Sequence, residues 1–289
     1  MVAADEVTGG ALVREPALEH LASEWRTLLE LCAELDPDDW LLPTNCPGWS
    51  VHDNVAHVAT FERMLQGHPP PGPVPSVEND AGSVRPDHVK NAVGASNEVW
   101  VSSWRDRPSI ELLAELRGVT GERLVELGAL PTERWDEATS APSGQRLPFR
   151  ELIELRTFDC WAHEQDIRRA VGRPGHWSGA VPWLAIDRVA TAMGYVVGKK
   201  AGAPQGSSVV FQLREQAERD VAVGVGHRAS VLPEVPSDPT TVLALTAECF
   251  VCLGCGRWDP ASVLATGGVK ITGDSDLGRR VVEAMPFMI

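Results

Sequence analysis

The chain has one tyrosine among 289 residues, six cysteines, and far fewer basic than acidic side chains: 26 Lys and Arg against 40 Asp and Glu. Each scarcity excludes something. A formal net charge of -14 repels phosphate backbones and anionic lipid headgroups, which argues against nucleic-acid and membrane-surface partners. No run of about 18 apolar residues occurs, so no membrane span is expected. The most apolar tract, 180–198, is interrupted by Asp187 and Arg188. The cysteines, at 32, 46, 160, 249, 252 and 255, are too sparse for a disulfide framework and read as reduced thiols. The opening Met-Val-Ala-Ala-Asp-Glu has no basic region followed by an apolar run, so no signal peptide is expected. Together these features lead to the expectation of a soluble, cytoplasmic protein.

What is present is enough apolar material for a core: 43% of residues are hydrophobic, which excludes wholesale disorder. Leu18, Leu21, Trp25, Leu28, Leu29 and Cys32 recur at helical spacing and predict a helix over 14–35. Cys46-Pro-Gly-Trp-Ser leads into a second helix reaching about Leu65, with Ser50 and Asp53 as a capping box. The proline-rich stretch 68–73 breaks it, and 76–90 reads as a loop. Helical patterns return at 88–104 and 109–128, and a polar loop covers 131–147. A long helix spans 148–171, closed by Gly172, with Arg168 and Arg169 complementing its C-terminal dipole. Another helix is expected over 182–199.

Beyond 202–207 the texture changes. Val209, Phe211 and Leu213 alternate as in a strand, as do Val221, Val223 and Val225; 241–245 is a further short strand. A helix over 246–257, a strand at 269–272 and a helix over 274–285 complete the pattern. The expected fold class is α+β and mostly helical, with a helix bundle over 1–200 followed by a small α+β domain over 205–289.

The chemistry concentrates in Asp159-x-x-x-His163. At 100° per residue the two side chains lie about 40° apart on one helix face, framed by Leu152, Ile167 and Ala170. On the helix 51–65, His57 lies beside the apolar stripe of Val58 and Leu65, whereas His52 lies about 140° away and is expected to face solvent. His57, Asp159 and His163 would form a two-histidine, one-carboxylate set. Three such ligands with one open position suit a catalytic zinc ion, and Fe, Ni or Mn as well. Asp166, one turn beyond His163, could orient a ligand imidazole. Spacing alone equally allows an ordinary i,i+4 contact, with His57 as a core histidine.

The words around these residues add to that pattern. Cys46-Pro-Gly-Trp-Ser-Val-His-Asp-Asn-Val-Ala-His57 and Arg156-Thr-Phe-Asp-Cys-Trp-Ala-His-Glu-Gln-Asp-Ile-Arg168 resemble the mycothiol-dependent maleylpyruvate isomerase family, part of the DinB-like metalloprotein superfamily. Val-Lys-Ile-Thr-Gly-Asp-Ser-Asp-Leu-Gly-Arg-Arg, ending at Arg280, resembles that family's sterol-carrier-protein-like second domain.

The resemblance implies a DinB-like four-helix bundle holding a divalent metal, usually zinc, through His57, Asp159 and His163. It also implies mycothiol as thiol cosubstrate, a small electrophilic substrate, and a metal-bound thiolate as nucleophile in isomerisation or S-transfer. The isomerase itself is similar but carries glutamate where this chain has Asp159. An arginine of the second domain is implied as an anion contact, and Arg257 is the candidate; Arg156 and Arg168 are alternative contacts for the cofactor or substrate anion. Two rival functions stay open: a non-catalytic metal- or ligand-binding protein, and a metal-dependent hydrolase on the same ligands.

Three further signals carry less. Cys249-x-x-Cys252-x-x-Cys255 lacks the next cysteine of an iron–sulfur run and reads as core. Gly194-Tyr-Val-Val-Gly-Lys is one spacer short of a phosphate loop. Cys46 is better explained by a rigid turn before the second helix than by nucleophilic chemistry.

Overall fold

The computed structural model describes residues 15–75, 86–141 and 144–288. The loop expected at 76–90 falls mostly outside them. Four helices form a bundle: α1 (Pro16–Ala33), α2 (Val51–Leu65), α4 (Ser109–Gly128) and α5 (Phe149–Ala170), while α3 (Ala92–Ser102) lies against α2. Their shared core contains Leu21, Trp25, Leu28, Val55, Leu112, Leu116, Ile153 and Ile167. α1 begins with Pro16, whose missing N–H costs nothing in a first turn. α2 begins with the expected reciprocal cap. Ser50 Oγ accepts from the Asp53 N–H at 3.2 Å, and Asp53 Oδ2 accepts from the Ser50 N–H at 3.0 Å.

The segment 131–147, expected to be a loop, carries a 3-10 turn (Thr132–Asp136) and a small hairpin of β1 (Ala138–Ser140) and β2 (Arg146–Pro148). These pieces are too short to leave a periodic signal. His52, expected in solvent, is buried. Its Nε2 lies 3.1 Å from the Arg107 carbonyl and its ring is edge-on to Trp40. The connection between α3 and α4 covers that side of α2, which the helix's own periodicity cannot reveal.

The second half is a five-stranded sheet in the order β5-β4-β3-β6-β7: β3 (Ser208–Arg214), β4 (Arg219–Val225), β5 (Ala229–Val231), β6 (Thr241–Thr246) and β7 (Val269–Gly273). β3 and β6 run parallel and the other pairs antiparallel. α7 (Ala247–Gly254), α8 (Pro260–Ala265) and α9 (Ser275–Ala284) accompany it, and Phe211 meets Phe250 edge-on in its core. α7 stops short of the expected 257, because Gly256 adopts a left-handed φ of 64°.

α6 (Ala180–Tyr195), which continues as a π-helical turn over Val196–Lys200, follows the bundle in sequence but buries its apolar side in the core of the sheet. Gly198 allows this approach, since a Cβ there would lie 2.6 Å from the Ala229 Cβ. Phe158 and Trp161 of α5 join the same core, so α5 is covered on both sides. This accounts for the burial of nearly every residue from Arg156 to Ile167. Among the described residues no helix is long and apolar enough to cross a membrane.

Candidate metal centre

α2 and α5 face each other across the bundle, and their inward polar residues meet. One ligand atom from each of His57, Asp159 and His163 lies within 4.8 Å of the others. His57 Nε2 is 3.2 Å from Asp159 Oδ2, and His163 Nε2 is 3.7 Å from Asp159 Oδ1. The histidines are 3% and 5% exposed. The Asp159 side chain is 37% exposed, so the cluster opens on the carboxylate's side.

Neighbouring side chains fix each member. Asn54 donates through Nδ2 to Thr44 Oγ1 (2.9 Å) and to the Ser50 carbonyl (2.8 Å). Its Oδ1 therefore points at His163 Nδ1, 2.7 Å away, and can only accept. His163 must carry its proton on Nδ1, which leaves the Nε2 lone pair facing a carboxylate oxygen. A cation between these two acceptors would satisfy both, and this donor set suits a divalent metal. Trp49 covers both imidazoles, with ring centroids 5.1 Å from His57 and 5.7 Å from His163. Its Nε1 donates to Glu98 Oε2 at 3.1 Å, and Arg105 secures Glu98 in turn at 2.7 Å.

Electrostatics prepare the same state. Burial holds the His57 pKa down at about 4, helped by His163 and Arg156 and opposed by Asp159, so the ring is neutral at neutral pH. Burial would raise the Asp159 carboxyl, but the neighbouring His57 and Arg156 outweigh it and hold the group well below the usual carboxylate range. Neutral imidazoles and an ionised carboxylate are the forms that ligate metals.

The arginines expected to contact an anion are otherwise engaged. Arg156 grips Asp159 Oδ2 with Nη1 and donates from Nε to Glu62 Oε1 at 2.8 Å. Its guanidinium lies 4.4 Å above the Phe61 ring. It is a clamp on the carboxylate, not a free anion contact. Arg168 is not brought to the centre: its Nε donates to Glu164 Oε1 at 2.5 Å on another side of α5.

Arg257 does arrive beside the centre, two residues past the α7 cap, and donates from Nε to Asp166 Oδ2 at 2.8 Å. It also lines an open cavity of about 580 Å³ with Glu248, Trp258 and Asp259. Asp166 is not the hydrogen-bond partner of His163: its Oδ2 is 3.7 Å from His163 Nδ1, and its oxygens are taken by Arg257 and Arg169. Asn54 holds that place instead. Cys46 lies within 4.8 Å of His163 and Asp166, but burial pushes its thiol up to about 12, which leaves it a poor nucleophile.

Sequence reasoning missed Asn54, Trp49 and Glu62 as parts of the site. Asn54 had a usable signal, since it stands one turn before His57 on the same helix face.

Comparison with known proteins adds family and fold. A family model described as "Mycothiol maleylpyruvate isomerase N-terminal domain" matches residues 21–168, and one described as "MDMPI C-terminal domain" matches 184–280. Uncharacterized proteins from two strains of Mycobacterium tuberculosis, CDC 1551 / Oshkosh and ATCC 25618 / H37Rv, are each 26% identical over 159 residues. The match spans 54% of this chain and 57% of those proteins. The crystal structure of the mycothiol-dependent maleylpyruvate isomerase aligns over 91% of this chain and 93% of its own, with a TM-score of 0.57 and 16% identity. A histidine-to-alanine mutant of that isomerase aligns over the same shares with a TM-score of 0.54. These two structures share the fold, a helical unit followed by an α+β unit. Because the first family match alone covers just over half of the 289 residues, the chain belongs to the mycothiol maleylpyruvate isomerase family.

Proposed function

We propose that this protein is a divalent-metal-dependent enzyme that uses mycothiol to act on a small electrophile, by isomerisation or S-transfer. The observation that carries this reading is the inward set of His57, Asp159 and His163, with one ligand atom of each within 4.8 Å of the others, in a chain of this family. In this reading the helical unit, 1–200, supplies the ligands, and the α+β unit, 205–289, contributes Arg257. A bound divalent metal, with zinc as our choice, supplies Lewis-acid polarisation that lowers the pKa of a thiol at neutral pH.

The protein's own residues do the rest. Arg156 holds the Asp159 carboxylate in place, and Asn54 holds His163 in the tautomer with Nε2 free. Trp49 and Phe61 pack against His57 and shield it from water, and a lower local dielectric strengthens the attraction between a bound cation and the Asp159 carboxylate. Arg257, paired with Asp166, lines a cavity of about 580 Å³; in this reading it attracts an anionic substrate and that cavity receives the body of a cosubstrate. Six unpaired, buried cysteines suit the reducing cytoplasm.

The test is metal analysis combined with a thiol-consumption assay. Purified chain is expected to lose metal from this centre in His57→Ala and in His163→Ala. It is expected to consume mycothiol with a panel of model electrophiles, and chelator-stripped protein is not. Unchanged metal affinity in His163→Ala would sink the ligand assignment. Metal binding without thiol turnover would instead favour a binding protein, and substrate hydrolysis without added thiol a metal-dependent hydrolase.

A further inference from the structure

A second polar cluster lies on another side of α5, about 100° round from His163, and the proposed chemistry makes no use of it. Glu24 of α1 is 0% exposed, and neither of its carboxylate oxygens has a hydrogen-bond partner among the described residues. Glu164 of α5 faces it and is also fully buried. Glu164 Oε1 accepts from Arg168 Nε at 2.5 Å, and its Oε2 lies 2.5 Å from His176 Nδ1. That same Nδ1 is 3.6 Å from Glu24 Oε2. One ligand atom from each of Glu24, Glu164 and His176 lies within 4.8 Å of the other two.

The backbone is arranged to hold the imidazole there. His176 adopts a left-handed φ of 58°, uncommon for a residue with a side chain. Trp161 Nε1 donates to its carbonyl at 3.1 Å, and Gln165 Nε2 donates to the Gly175 carbonyl at 3.1 Å.

Charge counting shows what is lacking. Two buried carboxylates share one arginine, which touches only Glu164, and one imidazole, whose Nδ1 lies at hydrogen-bond distance from Glu164 but 3.6 Å from Glu24. A buried carboxylate without a hydrogen-bond donor is strongly unfavourable. A proton shared between the two glutamates would engage one Glu24 oxygen and leave the other bare. A cation can engage both.

We propose that Glu24, Glu164 and His176 form a second divalent-cation site, distinct from the His57 centre, that ties α1 and α5 to the segment joining α5 and α6. Two carboxylates and an imidazole suit Zn²⁺ or Mn²⁺. Two of its three ligands are fully buried and far from solvent-borne substrates, so its role is structural, and the partly exposed His176 marks the path for exchange. Binding displaces the proton held between His176 Nδ1 and Glu164 Oε2, because Nδ1 must present a lone pair. This inference does not depend on the proposed catalytic function.

The test is a titration of chelator-stripped protein with Zn²⁺ and, separately, Mn²⁺, read by calorimetry and by metal content after desalting. Wild-type chain is expected to bind two equivalents, and the double variant H57A/H163A to keep one. Glu24→Gln, nearly isosteric, and His176→Gly, which suits the left-handed backbone, are each expected to lose that remaining equivalent in the double-variant background. In the otherwise native chain each keeps the other equivalent, and circular dichroism checks that each is folded. Loss of all binding in H57A/H163A, or undiminished binding in Glu24→Gln, would overturn the proposal and leave a proton as the occupant. A wild-type stoichiometry of one that vanishes with Glu24→Gln would uphold this site while removing the His57 centre.

Discussion

Replacing Asn54 by alanine removes three hydrogen bonds at once: two donated to Thr44 Oγ1 and the Ser50 carbonyl, and one accepted from His163 Nδ1. The first two are worth about 1 kcal/mol each, and leaving the buried His163 N–H without an acceptor costs about 1–3 kcal/mol more. The expected loss of stability is therefore about 3–5 kcal/mol. Metal affinity falls for a separate reason. Without Asn54, His163 is free to change tautomer and tilt, and loss of such an outer partner typically weakens a metal site about 10–100-fold.

That factor corresponds to about 1.4–2.8 kcal/mol of binding free energy. Competition against a chromophoric chelator measures the affinity, and thermal melting of stripped protein measures the stability. Asn54→Asp separates the two effects. A carboxylate still accepts from His163 Nδ1, so affinity is expected to hold. Its second oxygen, however, would face the Ser50 carbonyl as acceptor against acceptor, so stability is expected to fall. An Asn54→Ala protein that folds and binds metal as tightly as wild type would refute the account of His163.

Three further outcomes follow from the same geometry. Gly198→Val forces a side chain into the Ala229 Cβ and is expected to cost about 1–3 kcal/mol by overpacking; an unchanged melting temperature would show that α6 and β5 can separate freely. Burial pushes the Cys32 and Cys249 thiols up to about 12 from an ordinary value of 9.0, so the folded chain keeps protons that the unfolded chain releases above about pH 9. Stability is then expected to be fully present below that pH and to fall by about 1.4 kcal/mol per thiol per pH unit above it. Cys32→Ala should flatten the slope, and all six thiols should resist a thiol reagent at pH 8 until the chain is unfolded. The Arg257–Asp166 contact joins the two halves of the chain, and a double-mutant cycle with Arg257→Ala and Asp166→Asn is expected to give a coupling of about 0.5–3 kcal/mol in unfolding free energy. Zero coupling would mean that the pair does not hold the halves together.

Elements with strong end signals were legible in the sequence to the residue. α2 spans Val51–Leu65 because its capping box defines the start, and α4 starts at Ser109 because Pro108 precedes it. β1, β2, β5 and α8 are three to six residues long, too short for periodicity to accumulate. Partner choice was far less legible than element type. The wheel put His57 and Asp159–His163 on inward faces, yet it could not tell that the loop after α3 buries His52, or that α6 packs on the sheet. Asp166 shows the same limit. Its i,i+3 relation to His163 favoured a contact, but Asn54 from α2 takes the imidazole and Arg257, 91 residues away, takes the carboxylate. Long-range competition of this kind leaves no local trace.

The short side chain of Asp159 gains a physical context from Arg156. A carboxylate one methylene shorter than glutamate has less reach from α5 toward α2, and left alone it would also rotate. Arg156, fixed by the fully buried Glu62 and by its stacking over Phe61, grips Oδ2 and removes that freedom. Arg123 closes the far side of Glu62 at 3.0 Å, so the clamp is anchored on three helices, α2, α4 and α5. With Oδ2 occupied, Oδ1 is the oxygen left facing His163 Nε2, and it belongs to a side chain that is more than a third exposed. The geometry thus leaves one carboxylate oxygen, two imidazole nitrogens and an open approach on the carboxylate's side. An aspartate held back in this way leaves more space in front of the ligand set than a glutamate would; if the proposed function holds, Asp159→Glu is expected to narrow the range of electrophiles turned over in the thiol-consumption assay, and an unchanged range would refute this role for the space.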